Sequence, residues 1–502
     1  MTAPITFSLA LTNEAATAHL MADLALLIGP GDVITLSGDL GAGKTAAARA
    51  MIRYLAGDDT IEVPSPTFTL AQSYDLPPFP LVHADLYRVN DPGELEEIGL
   101  SPLPEATVVL IEWPERAGSA LPGDRIDIAL SHRPALGSAA RAAEITGYGK
   151  AAAQVARLKS LRRFLDGAGY LDARRQRMAG DASTRSYARL IRDDDVVILM
   201  NSPRRPDGGE TYAAAVHLAQ DVKPFVAIDG GLRELGFSAP VIRHADIDAG
   251  FLITEDFGSE GVIEGDPPAP MAERYEAATD LLAALHREPL PEKLPLARGF
   301  TYVIPFFDTE ALLVEIGLML EWYLPDRGVE PSDDLRDEFI TMWRDLLATP
   351  AAAPRTWVMR DFHSPNLIWL GDREGLARVG IIDFQDAVLG PAAYDLVSLL
   401  QDARVDVSEP LELALFAHYI RARRAADQSF DPAGFAELYA ILSAQRNTRL
   451  LGTFARLNRR DGKPQYLRHQ PRIWTYLTRS LAHPALTHLQ KWYSSNVPPP
   501  VP

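Results

Sequence analysis

The 502-residue chain contains no cysteine. That absence excludes a disulfide framework, thiolate zinc sites, iron–sulfur clusters and cysteine nucleophiles. Basic residues are also outnumbered, since 49 lysines and arginines stand against 67 acidic residues and leave a net charge of −18. A protein that coats nucleic acid needs a broad basic surface, so we expect no direct contact with DNA. A local phosphate-binding site is still compatible with this charge.

Long hydrophobic runs are absent too. No uninterrupted apolar stretch approaches the roughly 18–20 residues that span a bilayer. The N-terminal segment carries Glu14 early and has no basic region ahead of an apolar stretch, unlike a signal peptide. We therefore expect a cytoplasmic protein with no membrane partner. At roughly 100–200 residues per domain, the length predicts two to four domains, each large enough to bury a core.

The first third of the chain alternates between strand-like and helix-like segments. An apolar, β-branched run at 32–37 leads into a glycine-rich turn and an alanine-rich helical stretch, and further apolar runs follow at 81–87 and 106–113. This alternation predicts an α/β domain with a largely parallel sheet. A basic helical stretch, alternating strands and long helical patterns come next. We therefore predict one domain at 1–156 and a second at 157–502.

Residues 38–45, GDLGAGKT, match the phosphate-binding pattern G-x-x-x-x-G-K-[ST] at every fixed position. Glycines let the backbone curl so that its N–H groups face the phosphates, which the lysine also reaches, and the threonine hydroxyl ligates Mg²⁺. The following helix points its positive end at the anion. A strand precedes the motif and a helix follows it, as the motif requires. We therefore predict that ATP and Mg²⁺ are bound by Gly38, Gly41, Gly43, Lys44 and Thr45.

Three further polar residues belong to this predicted site. Asp85 ends the apolar run LVHAD, and Glu112 ends VVLIE. In a parallel sheet both carboxylates reach the carboxyl edge beside the P-loop, where either is suited to hold Mg²⁺ or to orient the attacking water. Each one taken singly is equally compatible with an ordinary charge at a strand end. Thr67 lies in the loop SPTF, where a switch-like segment would meet the γ-phosphate.

The order and spacing of GDLGAGKT, SPTF, HADLYR and IEWPER resemble those of the bacterial TsaE family, the ATPase subunit of the tRNA N6-threonylcarbamoyladenosine machinery. The resemblance covers roughly the first 155 residues. It implies that Lys44 and Thr45 bind phosphate and Mg²⁺, that Asp85 and Glu112 are catalytic partners of metal and water, and that Trp113 contacts nucleotide or partner. It also implies ATP hydrolysis by a domain docked on protein partners of the tRNA threonylcarbamoyl transferase complex.

A second constellation lies between two apolar runs of the C-terminal half. Asp361 precedes Asn366 by five positions, and Asp383 follows seventeen positions after Asn366. This is the D-x-x-x-x-N…DF arrangement of protein-kinase-like phosphotransferases. In that chemistry the first aspartate, here Asp361, accepts the proton of the attacking hydroxyl, whereas Asn366 and Asp383 hold Mg²⁺. Either half of the pattern alone is compatible with unrelated polar residues on loops.

Several segments of this half resemble the aminoglycoside-phosphotransferase superfamily, among them GDASTRSYARL, TEDFG, RDFHSPNLIWL and GIIDFQDA. Within it they most resemble sugar kinases of the AmgK type, which phosphorylate N-acetylmuramate and N-acetylglucosamine at the anomeric hydroxyl. The resemblance implies a bilobal α+β fold with an N-lobe at about 160–255 and a C-lobe at about 256–490. It further implies cofactor-binding residues in a phosphate-covering turn and near the interlobe hinge, namely Gly180, Ser183, Thr184 and Asp256.

The sequence departs from the protein-kinase pattern at the lysine that usually contacts the phosphates of ATP. The third strand of the N-lobe reads VVILMNSP, with Met200 and no lysine. Arg185 and Arg189 on the preceding strand are candidates to replace it, and a role as plain surface charges is the alternative.

Charged residues in two later helical segments are open to two interpretations each. Arg446, Arg449 and Arg456 recur at helical spacing and either face an anionic group, such as a lactyl carboxylate, or form a solvated helix face. Glu315 and Glu321 lie in an aromatic-rich segment, which either forms a sugar-binding surface with a carboxylate on the sugar hydroxyls or is a plain amphipathic packing face.

The sequence thus predicts an α/β P-loop NTPase domain followed by an α+β protein-kinase-like bilobal phosphotransferase domain. The predicted protein is bifunctional: an ATPase that supports tRNA threonylcarbamoylation and an ATP-dependent kinase that phosphorylates an amino sugar in peptidoglycan recycling. Two alternatives stay open. The acceptor of the second domain is instead an aminoglycoside, a choline-like alcohol or a protein hydroxyl, or the first domain is a nucleotide-dependent adaptor whose hydrolysis is incidental.

Overall fold

The computed structural model describes residues 3–91, 93–178, 185–205, 211–287, 290–296 and 299–501. The predicted site residues Gly180, Ser183 and Thr184 lie outside these ranges. The chain divides into two compact units: Met1–Pro203 with Ile242–Asp256, and Arg204–Val241 with Phe257–Pro502. Within the described ranges, none of the helices combines the length and the apolar character needed to cross a bilayer.

The first unit begins with a seven-stranded sheet covered by helices. Its strands pair in the order β1-β7-β6-β2-β5-β4-β3. The four in the middle, β6, β2, β5 and β4, are parallel, and the remaining three pair antiparallel to their neighbours. The strands are β1 (Ile5–Leu11), β2 (Val33–Ser37), β3 (Ala71–Tyr74), β4 (Leu81–Asp85), β5 (Val108–Glu112), β6 (Arg125–His132) and β7 (Arg141–Tyr148), and the helices are α1 (Glu14–Ala25), α2 (Lys44–Ala56), α3 (Glu94–Glu97) and α4 (Ala151–Gly167).

The central strands β2 and β5 are mostly apolar, as is typical of strands in a sheet with both faces buried. Ile34 and Leu110 pack into a core with α1 and α2, whereas Val33 and Val109 pack into a second core on the opposite face. This arrangement brings the carboxyl ends of the parallel strands to one edge, where the chain also turns from β2 into α2. The catalytic candidates of the first domain therefore meet at this edge.

Helix α4 connects this sheet to a second one. Its N-terminal half contributes Val155 and Leu158 to the core of the seven-stranded sheet, and its C-terminal half contributes Leu161 and Leu165 to the core of the second. The predicted boundary between residues 156 and 157 falls inside this helix and stays a prediction. The second sheet is fully antiparallel, in the order β11-β12-β10-β9-β8. Its strands are β8 (Arg174–Arg177), β9 (Ser186–Arg192), β10 (Asp195–Asn201), β11 (Ile242–Asp246) and β12 (Phe251–Glu255).

The described part of the second unit is mainly helical, with four short antiparallel strand pairs: β13–β14, β15–β16, β17–β20 and β18–β19. Its strands are β13 (Ile263–Glu264), β14 (Ala269–Pro270), β15 (Lys293–Pro295), β16 (Thr301–Val303), β17 (Arg355–Val358), β18 (Leu367–Trp369), β19 (Val379–Ile381) and β20 (Val388–Pro391). Its helices are α5 (Thr211–Ala215), α6 (Lys223–Glu234), α7 (Ala272–Leu285), α8 (Thr309–Leu318), α9 (Leu324–Asp326), α10 (Asp333–Ala352), α11 (Ala393–Leu400), α12 (Glu409–Ala426), α13 (Pro432–Asp461), α14 (Gln470–Leu481) and α15 (Thr487–Asn496). The long helix α13 packs against α8, α11 and α14.

Candidate active sites

The glycine-rich loop between β2 and α2 has a backbone that its glycines make accessible. Gly38, Gly41 and Gly43 have φ values of 134°, 79° and 104°, all in the region that disfavours side chains. At Gly38 a Cβ atom would also lie 2.2 Å from the carbonyl oxygen of Leu130. Helix α2 begins directly afterwards at Lys44. The loop therefore presents a helix N-terminus and curled backbone, the arrangement that binds phosphate oxygens.

The ammonium group of Lys44 is folded over this loop. Nζ donates to the carbonyl oxygens of Gly38 at 2.7 Å and Asp39 at 3.0 Å, and it lies 3.6 Å from the centroid of the Trp113 ring. Burial lowers the pKa of Lys44, and the neighbouring Glu112 carboxylate opposes that shift. A phosphate in the loop would offer this cation stronger, anionic acceptors than the two carbonyl groups.

The two strand-end carboxylates meet the loop from β4 and β5, whose registers place Asp85 opposite Glu112. Thr45 donates its hydroxyl proton to Glu112 Oε2 at 2.9 Å. Ser65 and Thr67 each donate to Asp85 Oδ2 at 2.7 Å. Both carboxylates are almost completely buried. Hydroxyl groups from the P-loop and from the 65–67 loop thus converge on two fixed carboxylates.

These groups surround one cavity of about 400 Å³, which we call the P-loop site. Eight of the predicted residues line it: Gly41, Gly43, Lys44, Thr45, Thr67, Asp85, Glu112 and Trp113. His83 was missed by sequence reasoning. Its side chain is fully buried on β4, and Nε2 lies 2.9 Å from Glu112 Oε1. The one signal in the sequence was a histidine inside an otherwise apolar strand, two residues before Asp85.

The second constellation, which we call the catalytic-loop site, lies between β17 and β20. Asn366 Nδ2 donates to the main-chain carbonyl of Asp361 at 2.9 Å, and Ile382 N donates to the carbonyl of Asn366 at 3.0 Å. The β18–β19 pairing thereby holds Asn366 beside the segment that carries Asp383. Asp383 has a φ of 59°, and Gln385 Nε2 donates to its Oδ1 at 2.8 Å. The structure therefore brings together all three residues that the motif predicts.

Asp361 lies in a strongly cationic environment. Burial on its own raises the pKa of this carboxyl group, but guanidinium groups led by Arg449 outweigh it and lower the pKa below its usual value. Arg449 Nη2 lies 3.8 Å from Asp361 Oδ1. The side chain of Asp361 keeps 36% of its surface exposed. Asp361 is therefore an accessible, ionised carboxylate at neutral pH, as a proton acceptor must be.

Buried carboxylates hold the backbone around Asp361. Asp395 Oδ2 and Oδ1 accept from the main-chain N–H groups of Met359 at 2.6 Å and Arg360 at 2.9 Å. Arg360, whose φ is 65°, donates its guanidinium to Glu315 on α8 and to the carbonyl of Val216. Glu315 is completely buried in this ion pair. The interpretation of Glu315 as a group that binds sugar hydroxyls is thus wrong, because its oxygens are occupied by protein donors.

The remaining predicted cofactor residues lie in the antiparallel sheet of the first unit or directly beside its strands. Arg189 on β9 donates its guanidinium to Asp256, which directly follows β12. The two residues are therefore adjacent and neutralise each other. Arg185 directly precedes β9. Binding of cofactor by Arg185, Arg189 or Asp256 stays a prediction.

The two sites define the class of the protein. A P-loop on a parallel sheet is the site of a nucleotide hydrolase, and an aspartate–asparagine–aspartate loop on strand pairs is the site of a protein-kinase-like phosphotransferase. Comparison with known families agrees with this division. The family described as "Threonylcarbamoyl adenosine biosynthesis protein TsaE" matches residues 11–140, and the "Phosphotransferase enzyme family" (APH) matches residues 174–438, more than half of the chain. The chain therefore belongs to the TsaE family in its N-terminal part and to the phosphotransferase family in its C-terminal part.

Named relatives fall into the same two groups. An N-acetylmuramate/N-acetylglucosamine kinase from Caulobacter vibrioides is 39% identical over 353 residues, which is 67% of this chain and 95% of the relative. A kinase of the same name from Pseudomonas aeruginosa is 31% identical over 63% of this chain and 87% of its own length. A tRNA threonylcarbamoyladenosine biosynthesis protein TsaE from Rickettsia bellii is 38% identical over 120 residues, 24% of this chain and 83% of that protein. The predicted fold classes and the two enzymatic classes are thus confirmed, as is the use of ATP that both families imply.

Proposed function

We propose that this chain is a bifunctional enzyme whose P-loop site hydrolyses ATP in support of tRNA threonylcarbamoylation. The observation that supports this function is the joint fixation of Thr45, Glu112 and Asp85 around a phosphate-binding loop. The 38% identical TsaE relative supports the same assignment. Proteins of the threonylcarbamoyl transferase complex are the proposed partners, and the cytoplasm is the proposed location. Glu112 and Asp85 are the proposed catalytic carboxylates.

The second part of the proposal is that the catalytic-loop site phosphorylates the anomeric hydroxyl of N-acetylmuramate and N-acetylglucosamine. The geometry that supports phosphoryl transfer is the exposed, ionised Asp361 beside Asn366 and Asp383. The relatives of the same name support the choice of acceptor. In this reaction Asp361 accepts the proton of the sugar hydroxyl and aligns its oxygen for attack. Aminoglycosides and choline-like alcohols are the competing acceptors.

Mg²⁺ is the proposed metal of both sites. The donors fit this ion, since Mg²⁺ typically takes one or two carboxylates, other oxygen ligands and the oxygens of a bound nucleotide. Thr45 with Glu112 or Asp85 would hold it in the P-loop site. Asn366 and Asp383 would hold it in the catalytic-loop site. The ion supplies positive charge that neutralises the phosphate oxygens.

Two reciprocal variants of the full chain test both proposals. We expect Lys44→Ala to abolish sugar-independent ATP hydrolysis and, in cells, tRNA threonylcarbamoylation, while sugar phosphorylation persists. We expect Asp361→Ala to reduce sugar phosphorylation by about 10²–10⁴-fold, the usual contribution of a general base, while sugar-independent hydrolysis persists. Phosphorus NMR of the product distinguishes an anomeric phosphate from other esters.

Each proposal has its own contradicting result. Normal tRNA modification in cells that carry Lys44→Ala would overturn the ATPase function and favour an adaptor. Turnover of an aminoglycoside, with neither N-acetylated sugar phosphorylated, would overturn the assignment of the acceptor.

A further inference from the structure

Helix α13 carries a buried arginine, Arg446, that has no role in the catalytic-loop site as described above. Arg446 is 2% exposed, and neither Nε nor Nη1 has a hydrogen-bond partner among the described residues. Arg449 lies three residues further along, on the same face of the helix, and its Nη2 is 3.8 Å from Asp361 Oδ1. Arg446 is therefore one helical turn from a guanidinium that reaches the proposed base.

No carboxylate among the described residues accepts a hydrogen bond from Nε or Nη1 of Arg446, although Asp361 and Asp402 lie near enough to interact with its charge. Glu315 Oε1 accepts from Arg360 and from Arg449 at 3.2 Å, and its Oε2 accepts from Gln445 at 3.0 Å. Asp402 accepts from the main-chain N–H groups of Ser364 and Arg404. Glu315 and Asp402 are thus committed to other donors, and Asp361 makes no hydrogen bond with Nε or Nη1 of Arg446.

A second donor near Arg446 is equally unsatisfied. The Tyr394 side chain on α11 is fully buried, and its hydroxyl has no hydrogen-bond partner within the described part of the chain. Arg446 and Tyr394 are close enough to influence each other's protonation. A buried guanidinium stays charged, and leaving its N–H groups unpaired is costly. An anionic oxygen ligand that accepts from both groups would remove this cost.

We propose that Arg446, assisted by the Tyr394 hydroxyl, binds a carboxylate of the acceptor molecule. This inference rests on the proposed sugar kinase function. A guanidinium matches both carboxylate and phosphate oxygens in geometry, and of these two groups the proposed acceptor offers a carboxylate. N-acetylmuramate carries one on its lactyl ether, whereas N-acetylglucosamine carries none. Arg446 is therefore the residue that favours the carboxylated sugar over the neutral one, and its effect is specific to that acceptor.

Steady-state kinetics of the full chain test this inference. Arg446→Gln is compared with wild type and with Arg459→Gln, which changes an exposed arginine at the end of the same helix. We expect Arg446→Gln to raise KM for N-acetylmuramate about tenfold or more, the usual loss for a charged hydrogen bond, with kcat retained. KM for N-acetylglucosamine and both constants of Arg459→Gln are expected to stay within about twofold of wild type, a change worth under 0.5 kcal/mol.

The alternative outcomes are distinct. An equal fall in kcat with both sugars would overturn the inference and assign Arg446 to the transferred phosphoryl group. Unchanged kinetics with both sugars would overturn it in favour of a purely structural cation. If Arg446→Gln does not fold, Tyr394→Phe serves instead, and a several-fold rise in KM for N-acetylmuramate alone is expected.

A binding measurement separates this inference from the proposed function. N-acetylmuramate is titrated calorimetrically into wild type and Arg446→Gln in the absence of ATP. If wild type binds this sugar but phosphorylates neither sugar, the kinase assignment fails while the loss of affinity in Arg446→Gln still supports the carboxylate site. Equal affinity of the two proteins, or no binding to wild type, contradicts the carboxylate site.

Discussion

Asp23 on helix α1 accepts a hydrogen bond from Arg175 on strand β8, with 2.9 Å between Oδ1 and Nε, and neither side chain is exposed to solvent. Arg162 on α4 donates to the other oxygen of Asp23 at 2.6 Å. Asp23, in the P-loop domain, is therefore the shared counter-charge of Arg162 and Arg175, which both lie beyond the predicted domain boundary. The seven-stranded and five-stranded sheets are joined by a buried ion network as well as by α4.

Replacement of Asp23 by asparagine is expected to destabilise both sheets together. It leaves two guanidinium groups without their counter-charge in a buried position, and breaking such a pair typically costs about 3–5 kcal/mol. Urea-induced unfolding of the full chain measures the loss. Asp59→Asn, at an exposed position of the same domain, is the matched control and is expected to change stability by less than about 0.5 kcal/mol.

Amide hydrogen exchange identifies the strands that Asp23→Asn destabilises. We expect Asp23→Asn to speed exchange in both β2 and β10. Faster exchange in β2 alone would mean that the two sheets open independently and would contradict a joint unit.

His83 is expected to act as a positioning residue for ATP hydrolysis. Its Nε2 fixes Glu112 Oε1, while Thr45 occupies Oε2. Loss of a residue that orients a metal-site carboxylate typically costs about 10–100-fold in activity. We expect His83→Ala to lower kcat of sugar-independent hydrolysis in this range, and His83→Gln to recover part of it because its amide can still donate. Equal losses in both variants would indicate a packing role instead.

Glu315 is expected to support sugar phosphorylation indirectly, through the arginines that it neutralises. It neutralises Arg360, which adjoins the proposed base, and Arg449, which faces that base. Glu315→Gln leaves both guanidinium groups without this charge, so we expect a loss of kcat for sugar phosphorylation of about tenfold or more, in line with a cost above 1.4 kcal/mol. Glu310→Gln on the same helix removes an exposed pair with Arg344 and is expected to have little effect.

The readout for Glu315 is the comparison of both activities in one preparation. Sugar-independent hydrolysis is expected to remain unchanged in Glu315→Gln. A parallel loss of both activities would indicate general unfolding rather than a local effect on Arg360 and Arg449.

The sequence predicted which residues the structure brings together wherever a short motif fixes their positions. Lys44 and Thr45 follow from the glycine pattern, and Asp361 with Asn366 from the kinase pattern, because local chain geometry alone brings each set together. Strand periodicity indicates that His83 lies in a sheet, but it does not reveal a hydrogen bond to a carboxylate 29 positions later.

Long-range pairing explains the other omissions. Glu315 lies in an aromatic-rich segment, a pattern that fits a sugar-binding surface as well as it fits a packing face. Its partner Arg360 lies 45 positions away in the chain. Helical spacing placed Arg446 and Arg449 on one face but did not reveal that this face is buried. The sequence did not indicate that α4 packs against both sheets, because the composition of the chain changes within this helix.

His286, in the second unit, is expected to make stability depend on pH. It is buried at the end of α7, where Nδ1 lies 2.9 Å from the Tyr419 hydroxyl, and burial followed by the charge of Arg423 lowers its pKa to about 3. Because this value lies below the ordinary 6.5, the unfolded chain binds a proton more readily between these pH values. The stabilising contribution is therefore complete above about pH 6.5 and is lost as the pH falls towards 3.

We expect wild type to lose about 3 kcal/mol more than His286→Gln between about pH 7 and 4.5, as measured by urea unfolding. His488→Gln, at an exposed position, is the control and should follow the wild-type curve. Parallel curves for wild type and His286→Gln would show that His286 takes up its proton without unfolding, and would contradict the proposed role of its burial.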